Sequence, residues 1–340
     1  MAKTRTTLAD VAREAGLSKT AVSFALNNPE GSRLSPDAIE RARSAAKKLN
    51  YTPNFAARTL RTQRTHSLGF LSSDVAVTRF AMAMIASALR MADTHDMALL
   101  IAETGTDAKR AKRATQALLD RQIDGLIVAE MGAKQVDLPD VPTGLPVIFA
   151  NALGPSGTVS ILPDESGGAT DVVNELLSGK YRSSILIIGG HPVLETDLRR
   201  SATIGTRMRA IREALVAGGV STWSEEKSMA WNPDLGYQTI KRLAAEEKMP
   251  DAVIALNDNI ALGVYSACNE LGIVIGKDIS VVSFDDDELI SHLRPGLTTS
   301  RLPYAEIGEV AVKGLVEKPL EPGVHLIPMP LQVRASVAKG

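Results

Sequence analysis

Cysteine pairs and long apolar runs are missing from this sequence of 340 residues. The single cysteine, Cys268, cannot form an intrachain disulfide, and there is no CxxC pair for zinc, so we expect the protein to work in a reducing compartment. We expect Cys268 itself to be buried as a small apolar residue. The N-terminus has no apolar h-region, and no run approaches the ~20 apolar residues of a membrane span. These absences predict a cytoplasmic protein with no membrane partner.

The residue patterns of common enzymes are also absent. The sequence contains neither GxGxxG nor GxxxxGKS/T, and it has no GxSxG nucleophile elbow. The five histidines are scattered without an HExxH motif. The acidic run 285–288 could hold a hard cation in isolation, but successive strand residues point to opposite faces of a sheet. We therefore expect no catalytic residues, no cofactor and no bound metal.

Charge is unevenly distributed along the chain. Residues 1–65 contain 12 Lys and Arg against 5 Asp and Glu, whereas the remaining residues contain 26 against 34. A basic head on an acidic body is typical of a nucleic-acid-binding module attached to something else. The length fits two or three domains.

The basic head begins with the pattern of two short helices. Apolar residues recur at helical spacing over 8–15, Gly16 suits a left-handed helix end, and Ser18 can cap a second helix. This layout is that of a helix-turn-helix, whose second helix enters the DNA major groove. Its outer side would carry Lys19, Thr20, Ser23 and Phe24. A plain helical hairpin is the alternative.

Two segments complete the head. Ser35, Pro36 and Asp37 give a strong helix start, and the third helix would close a small core. The basic segment 54–61 is too short to form a stable helix alone, but it could fold when it meets DNA.

From Ser67 onward, apolar strands alternate with helical stretches. Strands are predicted at SLGFLS, MALLIAE, DGLIVAE, PVIFAN, SSILIIGG, AVIALN and ISVVSFDD. The alternation predicts parallel sheets with helices on both faces, and the number of units predicts two such sheets. Ligands of open α/β sheets bind beyond the carboxyl ends of the strands. The polar residues found there are Ser73, Asp74, Asn151, Asn257, Asp258, Asp285 and Asp286. Helix capping is an equal alternative for Asp258 and Asp286.

The chain resembles the lactose/galactose repressor (LacI/GalR) family of transcriptional regulators. The resemblance runs through TLADVAREAGLSKTAVS and LNYTPNFAARTLRT and onward over nearly the whole chain. It implies an all-α helix-turn-helix headpiece and a two-lobed, periplasmic-binding-protein-like α/β domain with two doubly wound parallel sheets. It also implies a hinge helix whose Leu60, beside the small Ala57, wedges into the minor groove and kinks the duplex.

The implied organisation has three parts. These are a DNA-binding domain at 1–52, a hinge at 53–65 and an effector-binding and dimerisation domain at 66–340. Within the last, lobe 1 would hold about 66–162 and 289–325, and lobe 2 about 163–288 and 326–340.

The residues and the resemblance together give two sets of site residues. The DNA-binding set is Thr7, Leu8, Ser18, Lys19, Thr20, Ser23, Phe24, Asn27, Tyr51, Asn54, Ala57 and Leu60. The effector-binding set is Ser73, Asp74, Phe80, Asn151, Arg207, Trp231, Asn257 and Asp285. The resemblance implies that Arg207 presents paired donors to effector oxygens, and that Trp231 stacks on the apolar face of a sugar ring.

Two departures from the family pattern bear on specificity. Residues 77–80 read Val-Thr-Arg-Phe where Asn-Pro-Phe-Phe is usual, so Arg79 is either a charge at the pocket mouth or a surface residue. Phe24 replaces the base-reading arginine of the lactose repressor. A phenylalanine can pack on a thymine methyl group but cannot donate a hydrogen bond.

The sequence therefore predicts a DNA-binding transcriptional regulator, most simply a repressor, that acts as a homodimer on a pseudo-palindromic operator. A small effector, expected to be a carbohydrate, would control operator affinity from between the lobes. Three alternatives stay open: a purine effector, a protein-partner effector, or a sugar-binding receptor that does not bind DNA.

Overall fold

The computed structural model describes residues 6–27, 34–51, 64–79, 81–105, 107–180 and 183–340. The chain divides into two compact units, Met1–Thr65 and His66–Gly340. Each unit has its own buried apolar core, which the amphipathic pattern of its helices and the apolar runs of its strands supply.

The described residues of the N-terminal unit form three helices: α1 (Leu8–Ala15), α2 (Lys19–Asn27) and α3 (Pro36–Lys48). Thr7 and Asp10 form a reciprocal capping box at the start of α1, and Gly16 ends that helix in the left-handed conformation with φ 63°. The Ser18 hydroxyl accepts a hydrogen bond of 3.1 Å from the backbone N–H of Ala21 and so caps α2. The predicted helix-turn-helix layout is confirmed.

The first sheet of the larger unit is built from six strands. They are β1 (Ser67–Ser73), β2 (Ala98–Glu103), β3 (Gly125–Glu130), β4 (Val147–Ala150), β5 (Val159–Pro163) and β11 (Gly323–Ile327). All pairs are parallel, in the order β11-β5-β4-β3-β1-β2. The helices that pack on this sheet are α4 (Met82–Thr94), α5 (Ala108–Leu119) and α11 (Tyr304–Val316). We call this part the first lobe.

The second sheet also has six strands. They are β6 (Ile185–Ile188), β7 (Thr222–Glu226), β8 (Ala252–Ala255), β9 (Ser280–Asp285), β10 (Thr298–Arg301) and β12 (Leu331–Gln332), in the order β12-β10-β9-β8-β6-β7. Only the short β12 is antiparallel. The helices of this second lobe are α6 (Glu165–Leu177), α7 (Pro192–Thr196), α8 (Ile204–Ala217), α9 (Pro233–Ala245) and α10 (Asp258–Leu271), with a 3-10 turn at Glu288–His292.

The strands are apolar on both faces because helices cover both faces of each sheet. In β6, Ile185 and Ile187 belong to one buried cluster, whereas Leu186 and Ile188 belong to another. Alternate side chains of a strand point to opposite faces, so a central parallel strand reads as a continuous apolar run. The two doubly wound sheets that the sequence predicted are therefore confirmed.

The chain crosses between the two lobes after β5, after β10 and after β11. This order corrects one predicted boundary, which placed the return to lobe 1 near residue 289. Residues 298–301 pair with 282–285 of β9, so the chain leaves the second lobe only after Arg301. The strand β11 also extends to Ile327, beyond the predicted boundary at 325.

Two smaller findings concern burial and membranes. Cys268 is fully buried in α10, as predicted, and burial raises the pKa of its thiol to about 12. Within the described part of the chain, no helix combines the length and the apolar character needed to span a membrane.

Candidate functional site

A cavity of about 310 Å³ lies between the two lobes. On the first-lobe side it is bordered by residues that follow β3 and β4 or end β5, which are Met131, Asn151 and Pro163. This is the carboxyl edge of a parallel sheet, where ligands of such sheets bind. The cavity brings together five of the predicted effector residues: Asn151, Arg207, Trp231, Asn257 and Asp285.

Arg207 lies on the first two turns of α8 and is only 2% exposed. Its Nε and Nη2 donate to the two carboxylate oxygens of Glu165, at 2.6 and 2.8 Å, and its Nη1 donates to the Leu256 carbonyl at 2.7 Å. The guanidinium also lies 4.3 Å from the ring centroid of Phe284. Three of the five N–H donors are thus committed within the protein, and two remain for a ligand.

The charge of Arg207 is balanced inside the protein. Burial alone would lower the pKa of this guanidinium, but the Glu165 carboxylate more than offsets that effect, and the pKa is raised. Glu165 is itself 3% exposed and follows the Asp164 cap of α6. The pair therefore presents a fixed, nearly neutral polar wall to the cavity.

Asp285 ends β9 and contributes a carboxyl group that has no hydrogen-bond partner among the described residues. Burial, followed by the nearby Asp258 carboxylate, raises its pKa well above the ordinary value, although Arg207 opposes the shift. The backbone is held at φ 113°, a region that favours glycine. A polar side chain held this way in a cavity is available to a ligand.

Two asparagines each use one polar atom of the side-chain amide within the protein and leave the other atom for a ligand. Asn257 caps α10 through Oδ1, which accepts from the Ile260 N–H at 2.9 Å, while its Nδ2 has no partner in the described part of the chain. Asn151 donates through Nδ2 to the carbonyls of Glu130 and Met131, at 2.9 and 3.0 Å, and these bonds leave its Oδ1 without a described partner. One donor and one acceptor therefore remain for a ligand.

Trp231 supplies the aromatic surface of the cavity. Its Nε1 donates to the Gly189 carbonyl at 2.8 Å, and its ring packs against both apolar clusters of the second lobe. The hydrogen bond fixes the orientation of the ring, so one face can serve as a stacking platform.

Asp258 and Asp286 are engaged within the second lobe. Asp258 accepts hydrogen bonds from the hydroxyls of Ser283 and Thr299 and from the N–H of Asp287, and burial raises its pKa to about 6. Asp286 pairs with Arg334 at 2.6 Å. Neither is the capping residue of α10, a role that Asn257 takes.

Of the three other predicted effector residues, Ser73 and Asp74 are not found at this cavity. Ser73 lines a separate cavity of about 490 Å³ within the first lobe, together with Glu130. Asp74 borders neither cavity, and its N–H donates to Glu103 Oε1 at 2.8 Å. Phe80 lies outside the described residues.

Sequence reasoning missed Glu165 and Tyr304, which both line the cavity. Glu165 follows β5, a strand that was not recognised, so the rule that found Asp285 would also have found Glu165. Tyr304 begins α11, is 6% exposed, and has its pKa raised by burial. No sequence signal marked this tyrosine, because its position depends on the crossover after β10.

The predicted DNA-binding residues divide by what their side chains do. Lys19, Thr20 and Phe24 are exposed on α2, with Phe24 43% exposed, and Ser23 is half-buried. The hydroxyls of Thr7 and Ser18 act as helix caps. Leu8 and Tyr51 pack on the core of the head, and Asn27 is the last residue of α2. The other members of the set lie outside the described residues; these are Asn54, Ala57 and Leu60.

A helix-turn-helix unit and a two-lobed α/β unit with a cavity between its lobes define a ligand-responsive DNA-binding protein. Comparisons with known proteins agree. Residues 7–54 match the sequence model of bacterial regulatory proteins of the lacI family, and residues 173–337 match that of the periplasmic binding protein-like domain.

Individual relatives extend the match over the chain. The ribose operon repressor of Haemophilus influenzae is 30% identical over 320 residues, which cover 92% of this chain and 91% of the relative. The transcriptional repressor PurR of H. influenzae (strain PittEE) is 28% identical over 318 residues, which cover 92% and 90%. The crystal structure of the Lac repressor dimer bound to operator and the anti-inducer ONPF is similar with a TM-score of 0.76, at 26% identity over 98% of this chain and 99% of that chain.

The chain therefore belongs to the LacI family. It is a DNA-binding transcriptional regulator of the repressor type with an effector-binding domain, and not an enzyme.

Proposed function

We propose that the effector is a small sugar or sugar derivative that binds in the cavity between the lobes. The observation that carries this proposal is the Asp285 carboxyl, which accepts no hydrogen bond from the described residues and borders the same cavity as the fixed ring of Trp231. Sugar hydroxyls can donate to Asp285 and to Asn151 Oδ1 and accept from Asn257 Nδ2. The apolar face of the sugar ring would then pack on Trp231.

Arg207 would complete the site with its two remaining N–H donors. Because Glu165 already balances its charge, the guanidinium suits neutral hydroxyl oxygens better than it suits a second carboxylate or a phosphate. This balance favours an uncharged sugar over a sugar phosphate.

Effector binding would act on DNA through the angle between the lobes. The lobes are joined by three crossovers and by contacts across the cavity, so a ligand that touches both stabilises one lobe arrangement. Linkage then requires that the effector changes operator affinity by the same factor as the operator changes effector affinity.

We also propose that the regulator works as a homodimer on a pseudo-palindromic operator. Large apolar side chains are exposed on and before α4, including Val77 at 73%, Met82 at 53% and Leu89 at 43%. Exposed apolar side chains grouped in one region suit a protein–protein interface. Pairing two copies would present two headpieces to two half-sites.

A thermal-melt screen of the full chain tests the effector class. The panel contains pentoses, hexoses, cellobiose, polyols, sugar phosphates and purine bases. A specific ligand at about 100 times its Kd should add about 2.7 kcal/mol to the free energy of unfolding. An uncharged sugar should give a shift that falls to about half or less in Asp285→Asn. The shift should be kept in Asp171→Asn, a control at an exposed position on α6 of the same lobe.

The other results of this screen would contradict the sugar proposal. A shift with purines alone would make Trp231 a platform for a base, in line with the similarity to PurR. No shift across the panel would favour a protein partner as the effector.

A further inference from the structure

One ion pair joins the acidic run 285–287 to the opposite lobe. Arg79, in the segment after β1, donates through Nη2 to both carboxylate oxygens of Asp287, at 2.8 Å each. Asp287 follows β9 in the second lobe and lies two residues beyond Asp285. The Arg79–Asp287 pair therefore connects the first lobe to residues 285–287, which carry the Asp285 carboxyl at the cavity.

The acidic run is fixed at every residue. The Asp287 N–H donates to Asp258 Oδ2 at 2.8 Å, and Asp286 pairs with Arg334 at 2.6 Å. The Asp285 carbonyl accepts from the Leu302 N–H at 3.2 Å, within the crossover after β10. These contacts hold the φ of 113° at Asp285 while its carboxyl stays available to the cavity.

We propose that Arg79 is a positioning residue for the effector site. By clamping Asp287 it links closure of the lobes to the placement of the Asp285 carboxyl. This inference rests on the proposed function, since it assumes that the effector contacts Asp285. It also answers a question that the sequence left open, because Arg79 is neither an isolated charge at the pocket mouth nor an ordinary surface residue.

Further contacts cross between the lobes elsewhere. The Ala202 N–H donates to the Ala133 carbonyl at 2.7 Å, and the Gln135 N–H donates to the Leu198 carbonyl at 2.8 Å. Arg199 and Asp137 form an ion pair at 3.3 Å between the same two segments. These contacts join residues 133–137 to residues 198–202 and do not involve the acidic run 285–287. Loss of Arg79 should therefore loosen closure without separating the lobes.

Trp231 gives a direct readout of lobe closure. The chain has two tryptophans, and Trp223→Phe leaves Trp231, which lines the cavity, as the single tryptophan for selective excitation. In this background Arg79→Gln should raise the acrylamide quenching constant of Trp231. Arg113→Gln is the matched control, because Arg113 is exposed on α5 and forms no ion pair with the described residues.

Salt and the conservative variant separate positioning from a general loss of structure. With Arg79 present, 1 M NaCl should raise quenching towards the Arg79→Gln value, because a half-exposed ion pair is screened at that ionic strength. Arg79→Gln should show little salt dependence, and Arg79→Lys should recover part of the difference. For an effector found in the screen, Arg79→Gln should raise Kd by about 1.4- to 5-fold, the range for an exposed ion pair.

The proposal is overturned if Arg79→Gln and Arg113→Gln give the same quenching and the same salt dependence. It is also overturned if quenching changes while the Kd of an identified effector does not. Quenching needs no effector, so it tests the clamp even if no sugar binds. An unchanged quenching constant together with intact sugar binding would contradict the clamp and leave the proposed function standing.

Discussion

Arg207 and Glu165 form a buried, bidentate ion pair across 42 residues of sequence, with both side chains at most 3% exposed. Removing one partner of a buried ion pair leaves the other charge without water and without a counter-charge, which costs free energy. Glu165→Gln should therefore lower the free energy of unfolding by about 3–5 kcal/mol in urea titrations. Glu270→Gln, which removes half of an exposed pair with Lys241, should cost about 1 kcal/mol or less. Equal losses in the two variants would show that the buried pair carries no special weight.

Asp285 should behave in the opposite way. Its carboxyl has no hydrogen-bond partner among the described residues, and burial raises its pKa, so ionised Asp285 destabilises the fold. Asp285→Asn should leave the free energy of unfolding unchanged or raise it. The same variant should weaken effector binding about tenfold or more in isothermal titration calorimetry, the effect of losing a hydrogen bond to a charged group. A destabilised variant with normal effector affinity would mean that Asp285 is a structural residue.

Asp285 and Glu165 differ in whether the sequence could predict their place at the cavity. Apolar runs predicted both sheets, and the acids at the end of ISVVSFDD gave Asp285, which borders the cavity. The same rule also selected Ser73 and Asp74, which are not at the cavity. The rule identifies the carboxyl edge of a sheet, but which strand ends face the other lobe depends on how the sheets pack.

Long-range pairing explains the remaining misses. The role of Glu165 comes from Arg207, which is distant in sequence, and nothing in the local pattern connects them. Residues 298–301 read Thr-Thr-Ser-Arg, and their place in the second sheet follows from pairing with β9. Neither relationship leaves a local signal in one sequence.

Asp258 should make stability depend on pH in a defined window. Its pKa of about 6 in the folded protein lies above the ordinary value of 3.8, mainly because it is buried. Between pH 7 and pH 4 the folded state takes up a proton that the unfolded chain does not, so this group increases stability as pH falls. The gain should be about 1.4 kcal/mol between pH 7.5 and pH 5 and should be absent in Asp258→Asn. Urea titrations at pH 5 and pH 7.5 compare the two proteins, and the same pH response in both would contradict this assignment.

Phe24 should affect which DNA is bound more than how stably the protein folds. Because the Phe24 side chain is exposed on α2 and is not part of the buried core of the head, Phe24→Ala should leave the thermal unfolding of the head unchanged. If Phe24 packs on a thymine methyl group, the loss of binding free energy should be about 1 kcal/mol for the selected operator, the value of burying one methyl group. The loss should be smaller when that thymine is replaced by uracil. Lys19→Ala serves as the comparison. If Lys19 contacts a phosphate, Lys19→Ala should reduce the salt dependence of operator binding, whereas Phe24→Ala should leave it unchanged.

Control of DNA binding by a small effector bound between the lobes can be measured directly. Its most direct test is fluorescence-anisotropy titration of an operator duplex, selected from random sequence with the full-length protein, with and without the sugar found by thermal melts. Saturating sugar should change operator Kd by about fivefold or more. Asp285→Asn should bind the operator normally but should need about tenfold more sugar, or higher, for the same change. Identical operator isotherms with and without a sugar that demonstrably binds would contradict effector control of DNA binding.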